Sequence, residues 1–304
     1  MKKLFKGIIP PVSTIFNENG RFDERGMAKM IDFLIESGVH GLFFLGSGGE
    51  FTQLSAAERK RIAAFSVQYV NGRVPVLIGT GSTNTREVIE LNEHSEKIGA
   101  DGVVIVNPYY WPLSEANLFK HYEDAANSIN LPILLYNFPQ LTGQDLSADF
   151  VLKLAAKHSN IVGIKETVDT ASYYREMILK VKAEYPHFSI FTGYDDHLLN
   201  NLSLGGDGAI SASSNFMPEL TIGIYEAFQQ KDFDKALKMH QQLAFLPLLY
   251  KLDAPFTNVI KEAVKLRGIP ISTFVLPPGR ALSEEKMIEL KKLLDQASFS
   301  KITQ

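Results

Sequence analysis

The chain contains no cysteine. Disulfides, thiolate nucleophiles and cysteine-ligated metals are therefore excluded, although the compartment is not fixed by that. No run approaches the roughly 18 apolar residues of a membrane span. Neither sign of charge dominates: 31 Lys and Arg stand against 34 Asp and Glu, a net charge of -3. There is thus no basic footprint for nucleic acid. A signal peptide is also lacking. Met1-Lys2-Lys3-Leu4-Phe5-Lys6 starts like one, but Pro10 and Pro11 interrupt the apolar stretch and no small-residue cleavage site follows. Cytoplasm is the default expectation, with no membrane and no nucleic-acid partner. Neither a His-x-His nor a Glu-x-x-His pair adjoins Asp195-Asp196-His197, so no metal is expected there. The serines have no nucleophile-elbow context.

What is present is an ordinary globular composition, 45% hydrophobic and 21% charged over 304 residues. That length allows one large domain or a domain with an appendage. Eight short apolar runs recur. They begin at Lys6, Gly41, Val74, Gly102, Pro132, Ile161, Phe188 and Gly208, mostly 27 to 35 residues apart, about one strand–helix unit each. Between them lies helix grammar. Asp23-Glu24 opens a stretch with Met27, Met30, Ile31, Leu34 and Ile35 at helical spacing, and Gly38 stops it. Ser55-Ala56-Ala57-Glu58 is a capping box, and Thr85 starts a helix closed near Gly99. Strand–helix alternation repeated eight times favours an α/β fold of the (β/α)8 barrel type. Spacing alone leaves an open doubly wound sheet as the alternative, weakened because no dinucleotide fingerprint follows the first strand. Leu220–Gln229, Asp232–Leu249, Ala254–Leu266 and Ser283–Ala297 look helical without strands between them. The expected organisation is a barrel over 1–222 and a C-terminal helical region over 223–304.

In such a barrel the loops after the strands line the active face. One strand, Ile161-Val162-Gly163-Ile164-Lys165, ends its apolar run in a charge. Desolvation disfavours an ammonium ion, and a neutral amine is a nucleophile, so imine chemistry on a carbonyl substrate is the first functional idea. A lysine reaching water from a strand end is the plainer one. Gly46-Ser47-Gly48-Gly49 is a small-residue turn whose amides can cradle an anion such as a carboxylate, or simply a tight turn. Tyr136 ends another strand and offers a phenol for proton transfer, or a core hydroxyl. Tyr110 and Trp111 sit on a loop where they can shape the pocket, meet another subunit or cover the rim. Asp195 and Asp196 suit hydrogen bonds to substrate hydroxyls or a helix N-cap.

Gly46-Ser47-Gly48-Gly49-Glu50, Asn107-Pro108-Tyr109-Tyr110, Tyr136-Asn137-Phe138-Pro139, Gly163-Ile164-Lys165-Glu166, Gly193-Tyr194-Asp195-Asp196 and Gly208-Ala209-Ile210-Ser211 occur in family order from residue 7 to about 300. Through them the chain resembles the pyruvate-dependent class I aldolases and lyases that include dihydrodipicolinate synthase and N-acetylneuraminate lyase. The resemblance implies a TIM barrel with a C-terminal helical extension, assembled as a homotetramer from two tight dimers. It implies that Lys165 forms an imine with the keto carbon of a 2-oxo acid, with no other cofactor and no metal. Tyr136 would be the acid/base phenol, and Ser47 would link it to Tyr110, which in relatives reaches across the dimer interface. Ser47 and the amides of Gly48 and Gly49 would hold the carboxylate. Ile210 would place its carbonyl near the imine, and Thr167, Gly193, Asp195 and Asp196 would complete the substrate contacts.

The departures bear on substrate. Dihydrodipicolinate synthases carry Arg two residues after the Tyr-Asn-x-Pro tetrad, where this chain has Leu141, and the named relatives commonly carry Thr at Gly48. Tyr194-Asp195-Asp196 looks more like the lyase pattern. The combination is most similar to the aldolases that cleave 2-keto-3-deoxy sugar acids to pyruvate and an aldehyde. Dihydrodipicolinate synthase activity, N-acetylneuraminate lyase activity, a sugar-acid dehydratase and a catalytically silent sugar-acid-binding paralogue are the alternatives.

Overall fold

Each apolar run becomes a strand whose every residue is buried, because both faces are covered. The strands are β1 (Gly7–Ile8), β2 (Leu42–Phe44), β3 (Val76–Gly79), β4 (Gly102–Val106), β5 (Ile133–Asn137), β6 (Ile161–Glu166), β7 (Ser189–Thr192) and β8 (Gly208–Ala209). The computed structural model describes residues 5–297. All neighbouring strands pair in parallel, in the order β1-β8-β7-β6-β5-β4-β3-β2. The ends of that row meet just past β1. Phe43 donates its amide to the Pro10 carbonyl at 3.0 Å and accepts from the Val12 amide at 2.8 Å, with a parallel bridge between Pro11 and Phe43. The sheet is therefore a closed barrel, and the open-sheet alternative is set aside. Pro10 and Pro11 have no N–H to give the ladder, which is why β1 is shorter than its apolar run. β8 is short too. Gly208 there has φ +149, and a Cβ on it would lie 1.9 Å from the Gly7 carbonyl oxygen.

Helices follow the strands: α1 (Glu24–Glu36), α2 (Ala56–Val70), α3 (Thr85–Lys97), α4 (Glu115–Asn127), one-turn α5 (Pro139–Thr142), α6 (Ala148–Lys157), α7 (Ala171–Glu176), α8 (Leu198–Leu204) and α9 (Pro218–Gln229). α7 runs on into a π-helical stretch, Met177–Lys182. The Ser55–Glu58 capping box is formed in both directions at the start of α2. Beyond the barrel come α10 (Phe233–Leu243), α11 (Thr257–Leu266) and α12 (Glu284–Gln296). The single helix expected over 232–249 stops at Leu243 and gives way to a 3-10 segment, Leu246–Lys251. Pro247 in that segment lacks the donor an α-helix needs and disfavours helical backbone before it. A boundary after residue 222 falls inside α9. One apolar core runs from Ile8, Val12 and Phe43 in the barrel to Val259, Ile260 and Leu290 in the C-terminal helices.

Candidate active site

Tyr136 and Lys165 are register partners on β5 and β6, and Asn137 and Glu166 are the next pair along. Strand side chains alternate between faces. Lys165 lines the central cavity together with Tyr136, while Glu166 and Asn137 hydrogen-bond each other at 2.7 Å behind it. Lys165 is only 5% exposed. Its Nζ stands 4.1 Å from the centre of the Tyr136 ring and 5.6 Å from that of Phe43. Two aromatic rings thus flank the amine, and among the described residues it has no carboxylate partner. The Tyr136 hydroxyl meets Ser47 Oγ, from the loop after β2, at 3.4 Å. Contacts of this length between catalytic groups commonly tighten when substrate binds.

The cavity has a volume of about 590 Å³. Ser47, Gly48, Tyr136, Lys165, Thr167, Gly193, Asp196 and Ile210 line it, so eight of the expected site residues converge. Among the described residues, Thr167 Oγ1 and Asp196 Oδ1 are buried polar atoms with no protein partner. Buried polar atoms normally have partners, so these two hold unused hydrogen-bonding capacity in residues that line the cavity. Gly193 cannot carry a side chain, because a Cβ there would lie 2.0 Å from Thr167 Oγ1. Leu141, at the position where an arginine was expected of a synthase, lines the cavity and is 60% exposed.

Asp195, expected beside Asp196 at the substrate, lies outside the cavity lining. It is 1% exposed and has both oxygens engaged. Oδ1 accepts from the Ser213 amide at 3.2 Å and from the Ser213 hydroxyl, and Oδ2 accepts from the Tyr250 hydroxyl at 2.5 Å. Burial pushes its carboxyl up, opposed by those hydrogen bonds. Asp195 ties the loop after β7 to the loop after β8 and to the 3-10 segment. Gly49 does not line the cavity and its amide donates to the Gly46 carbonyl at 2.9 Å, whereas Gly48 lines the cavity. Tyr110 is 84% exposed on the outer surface beside Trp111, 72% exposed, and does not line this cavity within the chain.

Several lining groups were not anticipated. Tyr250, Lys251 and Leu248 come from the 3-10 segment, Asp169 from the loop after β6, and Gln140 from α5. The Tyr194 hydroxyl donates to Gln140 Oε1 at 3.0 Å, bridging two rim loops. Asp169 Oδ1 pairs with His197 Nε2 at 2.9 Å. Gln140 and Asp169 were within reach of the strand–loop pattern, one residue past the Tyr-Asn-Phe-Pro tetrad and four past Lys165. The 3-10 segment carries no motif, and its arrival over the barrel mouth is a matter of tertiary packing.

The sequence profile of the dihydrodipicolinate synthetase family matches residues 4–297. YagE of Escherichia coli K12, provisionally named a 2-dehydro-3-deoxy-D-gluconate aldolase, is 57% identical over 96% of this chain and 97% of YagE. YjhH of the same strain, provisionally named a 2-dehydro-3-deoxy-D-pentonate aldolase, is 50% identical over 97% of each chain. The crystal structure of YagE in complex with pyruvate matches with a TM-score of 0.96 at 56% identity, over 97% of this chain and 99% of that one. With its barrel closed and its lysine facing the cavity, the chain belongs to the dihydrodipicolinate synthetase family.

Proposed function

We propose that the protein is a Schiff-base-forming class I aldolase, a carbon–carbon lyase that reversibly cleaves a 2-keto-3-deoxy sugar acid such as 2-keto-3-deoxygluconate to pyruvate and an aldehyde. The observation that carries this reading is a buried amine, Lys165, sharing a cavity with the Tyr136–Ser47 hydroxyl pair and lined also by Thr167 and Asp196. The pyruvate complex of YagE and the names of YagE and YjhH support it.

The amine adds to the 2-oxo carbon, and loss of water gives a protonated imine. That cation accepts the electron pair of the breaking C3–C4 bond, the role a Lewis acid would otherwise take. Tyr136, coupled to Ser47, removes the proton from the C4 hydroxyl as the aldehyde leaves. The enamine then takes a proton at C3, and water releases pyruvate from Lys165. Ser47 and the Gly48 amide hold the substrate carboxylate, with the Ile210 carbonyl near the imine. Thr167 and Asp196 take hydroxyls of the sugar tail, past Gly193. In the assembled enzyme, read as a cytoplasmic homotetramer of two tight dimers, Tyr110 completes the hydroxyl relay from the neighbouring subunit.

Incubation with 2-keto-3-deoxygluconate, reading pyruvate release, is expected to give turnover. Pyruvate with aspartate semialdehyde is expected to give none, since Leu141 stands where the synthases carry the arginine that takes the second carboxylate. Turnover of the semialdehyde alone would overturn the assignment.

A further inference from the structure

Glu50 follows the Ser47-Gly48-Gly49 turn directly, and it is a charged residue only 4% exposed. Its partner is Lys261 on α11, 0% exposed and 211 residues away in sequence. Lys261 Nζ donates to Glu50 Oε1 at 2.6 Å and to the Phe274 carbonyl at 2.7 Å, and lies 4.8 Å from the centre of the Phe16 ring. Glu50 Oε2 accepts the Leu276 amide at 2.7 Å. Neither Lys261 nor Glu50 lines the cavity that holds Lys165.

A buried ion pair is a weak stabiliser, because desolvating both charges offsets most of their attraction. A well-packed apolar pair would hold α11 in place as well. The backbone shows what the pair fixes instead. Glu50 sits at φ +60, ψ 32, a left-handed conformation uncommon for a residue with a Cβ. Its amide donates to the Ser47 carbonyl at 3.1 Å and so closes the turn. The carboxylate reaches out of that turn to two donors contributed by the C-terminal region, the Lys261 amine and the Leu276 amide. The turn is thus anchored at one end by β2 and at the other by α11 and the 274–276 segment.

Resting on the aldolase reading, we infer that Lys261 is a positioning residue for the Schiff-base site. Through Glu50 it sets the place of the Ser47–Gly48 turn, and with it the Ser47 hydroxyl facing Tyr136 and the Gly48 amide facing the substrate carboxylate. The C-terminal helical region is in this sense part of the active-site frame, without touching substrate at this point.

The test is the pyruvate dependence of borohydride trapping at Lys165, measured on folded, size-fractionated protein. In Lys261→Met, which keeps the length and removes the charge, the pyruvate concentration for half-maximal labelling rises about tenfold, the scale of a small misplacement of binding groups. Half-saturation belongs to each folded molecule and does not depend on how many fold. A purely structural Lys261 lowers the unfolding temperature and the yield but leaves half-saturation unchanged, and a rise below about threefold overturns the inference. Should Lys261→Met not fold, Glu50→Gln, which keeps the side-chain shape but removes the charge and one of the two acceptor oxygens, decides by the same criterion. If wild-type protein shows no pyruvate trapping at all, it is the aldolase reading that fails.

Discussion

The amine of Lys165 lies 4.1 Å from the centre of the Tyr136 ring, with the two residues directly paired across β5 and β6. The ring positions the amine, and the phenol oxygen, 3.4 Å from Ser47 Oγ, is free for proton transfer. Tyr136→Phe separates these roles. The ring contact stays and the hydroxyl goes. Cleavage should slow by about 10²-fold or more, the usual contribution of a positioned acid/base group. Stability should change by about 1 kcal/mol or less, the net value of one hydrogen bond. Steady-state kinetics and thermal unfolding on the same preparation check both.

Asp196 and Asp195 are neighbours with opposite tasks. Asp196 lines the cavity and its Oδ1 is buried without a partner among the described residues, whereas Asp195 is locked to Ser213 and Tyr250. Asp196→Ala should raise KM for the sugar acid about tenfold, the loss of one hydrogen bond to a charged group, while pyruvate trapping stays at the wild-type half-saturation. Equal damage to both readouts would move Asp196 out of the sugar-tail subsite.

Glu166 sits behind Lys165 with no solvent exposure, one oxygen on Asn137 and the other without a partner among the described residues. Burial raises its carboxyl well above the ordinary 4.5. The folded state therefore holds this proton more tightly than the unfolded chain does. Its contribution to stability is full below 4.5 and is lost as pH rises through the raised folded value. Glu166→Gln keeps the shape and the hydrogen bond from Asn137 but cannot ionise. The stability of wild type relative to the variant should fall as pH rises from about 4.5, as measured by urea unfolding at stepped pH. A difference that stays flat or grows with pH contradicts the assignment.

Trp111, the chain's single tryptophan, is 72% exposed and packs edge-to-face on Tyr110 at 5.5 Å. If this surface meets a second copy, Trp111 is a built-in reporter of assembly. On dilution its emission should shift to the red as activity is lost, with one common midpoint. Full activity in a sample whose sedimentation shows only monomer would remove Tyr110 from the relay.

Lys165 was legible because a charge ends an otherwise apolar strand, and Tyr136 because a phenol ends another and stands in the family's Tyr-Asn-x-Pro tetrad. That the two are level across β5 and β6 is seen only in the fold. The eight strand–helix units and the Ser55 cap followed from local patterns of period and capping. Other features depended on distant partners. Which of Asp195 and Asp196 faces the cavity is decided inside a 3-10 turn, where neither the strand nor the α-helix period applies. The partners that claim Asp195 lie 18 and 55 residues away. The withdrawal of the Gly49 amide comes from the turn closing on itself. The cavity wall formed by Tyr250 and Lys251 has no sequence motif, whereas the helix break ahead of it could have been read from Pro247.

The most direct measurement is borohydride reduction of the protein in the presence of pyruvate, followed by peptide mass analysis. The expected result is one reduced pyruvate adduct per chain, on Lys165, absent in Lys165→Ala. An unmodified Lys165, or an adduct on a different lysine, contradicts the imine mechanism.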